Sequence, residues 1–302
     1  VKILITGGTG FIGKSLCQAL LAQGHDVTVF SRQPEDRVRA LCGASVGALS
    51  DLRSLPAEIR FDAIINMAGE GIADRRWSEA RKQQLWDSRI GVTGDLIAFI
   101  AGMEERPKLL LSGSAVGYYG NRGDTVLDES ADPGEDFSHR LCAAWEREAL
   151  RAEDLGLRTC IIRTGLVVGP GGGFLSRMLP MFKLGLGGPI GDGKQCMSWI
   201  HLDDHIGLTL RLLNETSASG IYNATAPNPV TNREFTRCLA QVLGRPAFLP
   251  APAALLRLVL GEMAELLLGG QRALPKRLME LGFEFRYPHL QEALEDVLGR
   301  TR

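Results

Sequence analysis

Short apolar runs recur along the chain at Lys2–Thr6, Asp26–Ser31, Ala44–Ala48, Ala63–Met67, Lys108–Ser112 and Thr159–Arg163. A run such as Lys2-Ile-Leu-Ile-Thr6 has no polar alternation, the pattern of a strand covered on both faces. Between the runs, residues 11–23, 78–103 and 141–155 place apolar side chains at helical spacing. Strands separated by helices predict an α/β fold on a doubly wound parallel sheet. Ligands of such sheets lie beyond the carboxyl ends of the strands, so the residues there carry the functional expectations.

Past Gly165 the pattern loosens. Gly169-Pro-Gly-Gly-Gly173 and the stretch Gly185 to Gly193 read as loops, the first of them part of a binding crevice, and Thr231-Asn-Arg-Glu234 reads as a capping box opening a helix. Pro246, Pro250 and Pro252 mark a linker before a mostly helical tail ending in Leu290–Leu298. The expected organisation is a main domain over 1–245, with substrate-lobe segments near 166–200 and 221–232, and a small C-terminal domain over 246–302. The stripe Leu255–Leu268 reads first as core and second as a homodimer contact.

The first run enters a glycine turn, Gly7, Gly10 and Gly13 at three-residue spacing, followed by an amphipathic stretch. A diphosphate needs bare backbone N–H groups and the positive end of a helix dipole, which strand, glycine turn and helix supply together. The sheet is therefore expected to be of Rossmann type and to bind a dinucleotide. The second run ends Phe30-Ser-Arg32, with no acid until Glu35. A carboxylate there would bind a free ribose 2′-hydroxyl; Arg32, helped by Ser31, suits a 2′-phosphate and points to NADP.

Composition narrows the partners. A net charge of −1 gives no field for nucleic acid or an anionic membrane. The six cysteines are scattered without a Cys-x-x-Cys pair, and no apolar run reaches spanning length. With a strand starting at residue 2, no room is left for a signal peptide, and a cytoplasmic protein acting on a small molecule is expected. His201-Leu-Asp-Asp-His205 lacks a following Glu and a third ligand, so no metal is expected; Asp203 or Asp204 reads as a helix cap.

Several blocks resemble the extended short-chain dehydrogenase/epimerase superfamily: Thr6-Gly-Gly-Thr-Gly-Phe-Ile-Gly13, Asn66-Met-Ala-Gly69 and Ser112-Gly-Ser-Ala-Val-Gly-Tyr-Tyr-Gly120. Met197-Ser-Trp-Ile-His-Leu-Asp-Asp204, Asn223-Ala-Thr-Ala-Pro-Asn-Pro229 and Gly261 to Gly270 resemble its YfcH-like epimerase-family branch, including a C-terminal domain without an assigned role. The resemblance implies cofactor contacts from Gly7, Gly10, Phe11, Ile12, Gly13, Ser31, Arg32, Met67, Ala68, Gly69, Arg89, Ser112 and Val167. It places Ser114 at the catalytic serine.

The superfamily's Tyr-x-x-x-Lys pair is missing: Ser138 stands at the Tyr position and Cys142 at the Lys position. Ser114 can polarise a carbonyl by hydrogen bonding, and Tyr118 and His139 are the nearby proton carriers. Each has a plainer reading as turn hydroxyl, packed ring or exposed first-turn side chain, and Arg89 as a solvated helix residue. Arg75, Arg76, Arg81 and Lys82 form a basic cluster that suits an anionic substrate and equally a solvated helix start. The resulting expectation is an NADP(H)-dependent oxidoreductase for a small carbonyl, alcohol or sugar-like compound. A nucleotide-sugar epimerase and a non-catalytic NADP sensor are the alternatives.

Overall fold

A computed structural model describes residues 1–56 and 58–299 of the 302, so residues 300–302 of the expected C-terminal domain lie outside the described residues. Seven parallel strands form the central sheet: β1 (Lys2–Thr6), β2 (Asp26–Phe30), β3 (Gly47–Leu49), β4 (Ala63–Asn66), β5 (Leu109–Ala115), β6 (Arg158–Thr164) and β7 (Gly220–Ala224). Their spatial order is β7-β6-β5-β4-β1-β2-β3, with the reversal at β1 and β4. That switch point opens a crevice at the strand ends. In β1, Ile3 and Ile5 enter the layer holding α1 (Phe11–Ala22), while Leu4 enters the opposite layer with Leu96 and Ala149. Both faces are thus covered, as the unbroken apolar runs require.

The second layer comprises α3 (Glu79–Trp86), α4 (Val92–Ala101) and α5 (Phe137–Asp154); α2 (Glu35–Cys42) flanks α1 on the first. One helix expected over 78–103 is two, joined by a wide turn at Asp87–Gly91. The third strand lies at Gly47–Leu49 rather than Ala44–Ala48, where register with Thr28–Phe30 pairs it. Helix α5 begins four residues before the expected 141, because Asp136 caps it by accepting from the His139 N–H at 2.8 Å. Residues 221–224, expected in the substrate lobe, instead belong to edge strand β7, paired along β6.

The smaller lobe is assembled from separate stretches. Helices α6 (Gly173–Lys183) and α8 (Asn232–Leu243) share a core with the C-terminal helix Leu290–Val297 through Leu175, Phe182, Phe235, Leu239, Leu290 and Leu294. The capping box at Thr231 and Glu234 forms as the sequence predicts. Helix α7 (Leu202–Asn214) is capped by His201, whose Nδ1 accepts from the Asp203 N–H, not by either aspartate. Asp204 instead accepts from the Arg286 and Tyr287 N–H groups at 2.7 and 3.0 Å, fastening the C-terminal segment. The Leu255–Leu268 stripe is core only in its second half: Met263 and Ala264 are buried, whereas Leu255, Leu258 and Val259 are exposed and Ala253–Leu260 buries none of its residues.

On α7, His205 is fully buried; its Nε2 lies 3.0 Å from the Thr164 hydroxyl and its Nδ1 has no partner. Burial lowers its pKa from 6.5 to about 4. The unfolded chain therefore holds the extra proton between those values. Stability is complete above pH 6.5 and is lost as pH falls toward 4, by about 3 kcal/mol in all. Thermal melts across that range are expected to show the fall, and a His205→Gln chain a flatter profile.

Candidate functional site

At the carboxyl end of β1 the chain turns through Gly7, whose φ of 70° is the left-handed region that favours glycine. A Cβ on Gly7 would lie 2.3 Å from the Met67 carbonyl oxygen, and one on Gly13 would lie 2.2 Å from the Gly7 carbonyl oxygen. These two glycines let turn, helix and β4 close on one another. A Cβ on Gly10 would meet only the Gly7 carbonyl, at 3.2 Å, so its outer side is open. Gly10 caps α1 without a side-chain hydrogen bond, and the first turn carries no acid. The Phe11 and Ile12 N–H groups therefore remain for an anion at the positive end of a twelve-residue helix. A dinucleotide diphosphate fits this cradle.

The walls follow from buried hydrogen bonds. Thr6 Oγ1 donates to Asn66 Oδ1 at 2.7 Å and accepts from the Ala68 N–H at 3.2 Å, setting the turn Met67-Ala68-Gly69 beside Gly7. Asn66 Nδ2 donates to Thr93 and Ser112, so fully buried Ser112 acts through Asn66 and its side chain offers no direct contact. Phe11 lies under the loop leading into α6, where a Cβ on Gly172 would come within 2.2 Å of its ring. Ile12 packs on the sheet core, and Val167 is 8% exposed within it.

Arg32 follows β2 with its side chain 88% exposed, 3.8 Å from Glu70. Glu70 is also paired with Arg81, which is buried and bonded to the Gly71 carbonyl. Arg89 reaches back from the wide turn to the Glu70 carbonyl at 2.9 Å and stands against Gly69. It is thus brought to the cofactor side, and burial disfavours its charge. Lys82 is engaged by Glu262 at 2.5 Å and by Glu79 at 3.2 Å. Of the predicted basic cluster, only Arg75 and Arg76 remain exposed.

The expected catalytic residues form one connected set. Ser114 Oγ donates to Glu146 Oε1 at 2.6 Å, and Glu146 is bound through both oxygens by Arg163 Nε and Nη2 at 2.8 Å. The Arg163 guanidinium lies 3.4 Å from the Tyr118 ring centre and donates to Tyr119 Oη, which donates to Asn223. Burial disfavours the Arg163 charge, but the Glu146 carboxylate more than offsets it and holds its pKa above the usual range. The Tyr118 ring meets His139 edge to face, and His139 Nδ1 donates to the Tyr118 carbonyl at 2.8 Å. The carbonyl can only accept, so Nδ1 carries hydrogen and Nε2 is the nitrogen left for proton exchange.

The serine's polarity reverses the sequence expectation. Its single hydrogen is committed to Glu146, so Oγ presents only lone pairs to any further partner. At the positions the resemblance assigns to Tyr and Lys, Ser138 and Cys142 are 7% and 5% exposed. Burial, reinforced by the Glu146 charge, pushes the Cys142 thiol up to about 12, so it stays neutral and cannot supply the missing cation. No cluster of metal-ligating side chains occurs among the described residues.

The family model described as the NAD dependent epimerase/dehydratase family matches residues 3–225. The chain belongs to that family. A domain of unknown function matches 251–297. The chain is 39% identical to the chloroplastic SDR39U1 homolog of Arabidopsis thaliana over 99% of its length and 87% of that relative's. It is 37% identical to human epimerase family protein SDR39U1, covering 99% of this chain and all of the relative. The crystal structure of the human protein with NADPH superposes with a TM-score of 0.91 at 36% identity, each chain covered in full. A UDP-glucuronic acid 4-epimerase from Bacillus cereus shares the fold, with a TM-score of 0.78 at 19% identity. No helix among the described residues is long and apolar enough to cross a membrane.

Sequence reasoning passed over Arg163 and Glu70. The sequence alone assigned no role to Glu146. An arginine inside an apolar strand, Cys160-Ile-Ile-Arg-Thr164, was the available signal, since a buried guanidinium requires a carboxylate.

Proposed function

We propose that this family member is an NADP(H)-dependent oxidoreductase acting on a small carbonyl or alcohol. The observation that carries the reading is an uncapped α1 N-terminus in line with an exposed arginine at the end of β2. The Phe11 and Ile12 N–H groups would hold the diphosphate, and Arg32 with Ser31 the 2′-phosphate. Met67, Ala68, Gly69 and Arg89 would flank the ribose on the far side. The human relative's NADPH complex supports the choice of cofactor. When bound, the nicotinamide supplies or accepts hydride.

The chain's own residues orient and exchange the proton. Ser114 Oγ, held in place by Glu146 and Arg163, accepts from a substrate O–H and leaves the reacting carbonyl oxygen to His139. His139, with hydrogen fixed on Nδ1, gives or takes a proton at Nε2. The neutral Cys142 thiol and Ser138 leave no phenol–lysine pair, so imidazole is the donor the geometry favours.

Titrating NADPH and NADH into parent and Arg32→Ala chains tests the cofactor. NADPH is expected to weaken by about 10-fold or more, and NADH to change little. Equal losses would sink the assignment. NADPH consumption is then followed over a carbonyl panel. Loss of turnover in His139→Gln with binding retained supports the mechanism; tight binding without turnover on any compound points to a sensor.

A further inference from the structure

A cavity of about 760 Å³ lies away from the glycine turn, between α8 and the segment that follows it. Arg233, Thr236 and Arg237 line it from one face of α8, and Arg245 from just beyond the Gly244 cap. Its lining holds three arginines and no carboxylate. Arg233 is anchored at the rim by donating to the Asp192 carbonyl at 2.7 Å. Neither the Arg237 nor the Arg245 guanidinium has a hydrogen-bond or ion-pair partner among the described residues.

A second observation points to a ligand. Thr236 is 3% exposed, and its hydroxyl has no partner. Buried hydroxyls are rarely left unpaired, and Thr236 lines the cavity beside the arginines. Apart from Gln241 the remaining walls are apolar, among them Pro189, Ala240, Pro246 and Phe248, which is 70% exposed. Guanidinium groups match phosphate oxygens two at a time, whereas the proline and phenylalanine walls match an apolar body.

We propose that this cavity is a binding site for a phosphate monoester carried on an apolar body, separate from the cofactor site. A soluble organic phosphate and a phospholipid headgroup share that chemistry. Leu249, between the lining residues Phe248 and Pro250, is exposed as well.

Calorimetric titration with hexyl phosphate tests the site on the full chain. The parent is expected to bind, and a chain carrying Arg237→Gln with Arg245→Gln to bind about 10-fold or more weakly. Thr236→Val is expected to weaken binding without lowering the melting temperature. Arg32→Ala is expected to leave it unchanged, which separates this site from the cofactor site whether or not NADP binds there. Inorganic phosphate should bind more weakly than hexyl phosphate. Flotation with phosphatidylcholine vesicles containing phosphatidic acid then assigns the source: flotation lost in the double variant supports a lipid headgroup, and none in either chain supports a soluble ester. No hexyl phosphate binding by the parent, or equal affinity in the double variant, overturns the proposal.

Discussion

A Gly13→Val chain is expected to lose NADPH binding and to melt well below the parent. Even the first carbon of the new side chain would overlap the Gly7 carbonyl oxygen at 2.2 Å and the Gly8 Cα at 2.7 Å. Both obstacles are backbone at the sheet's centre, so relief requires α1 to move off β1. The cost is about 3 kcal/mol or more, at the upper end for overpacking. Gly10→Ala is the informative partner. Its Cβ meets only one carbonyl, at 3.2 Å, so the chain should fold nearly as well as the parent. Its methyl group nonetheless occupies the open side of the turn, and NADPH affinity should fall. Calorimetric melting and cofactor titration on both variants separate packing from recognition. If Gly13→Val kept its melting temperature and its cofactor, the turn would not be the binding cradle.

Glu146→Ala is expected to be the most damaging single change outside the glycine turn. It leaves Arg163, 1% exposed, with a charge and no carboxylate, a loss of about 3–5 kcal/mol for a broken buried pair. Removing both charges with Glu146→Leu and Arg163→Met restores much of that stability, because neither desolvated charge then remains. A double variant no more stable than Glu146→Ala would show that the pair's shape, rather than its charge, holds this region. Ser114 loses its acceptor in either chain. Turnover should therefore stay low in the double variant even where the melting temperature recovers.

These two sites differ in how openly the sequence displayed them. Gly7 to Gly13 is one continuous stretch, and its requirement for bare backbone is local, so spacing alone exposes it. Arg32 was readable because it directly follows a strand beside that turn. Glu146 and Arg163 lie on α5 and β6 and meet only because helix and sheet pack together. Spacing along the chain holds no trace of that meeting. The serine's polarity was hidden for the same reason, since its direction is set by Glu146, 32 residues away. The wide turn at Asp87–Gly91 escaped because its apolar pattern continues through it, although that turn is what swings Arg89 toward Gly69.

Seventh strand β7 was missed because Gly220-Ile-Tyr-Asn-Ala224 mixes polar and apolar side chains at the sheet's edge. Its identity depends on pairing with β6, not on composition. Asp203 and Asp204 were sound helix-cap residue types in the right place. His201, two positions before Asp203, took that role, and Asp204 was released to hold the backbone at 286 and 287.

That hold, together with the core shared by α6, α8 and Leu290–Val297, has a consequence for the order of biosynthesis. The central sheet has all its strands once residue 224 has left the ribosome. The smaller lobe must wait for side chains about seventy residues later, several seconds at ordinary elongation rates. During that interval the apolar faces of α6 and α8 lack the surface that later covers them. The nascent chain is then most dependent on chaperones, until the emergence of Leu290–Val297 closes the smaller lobe.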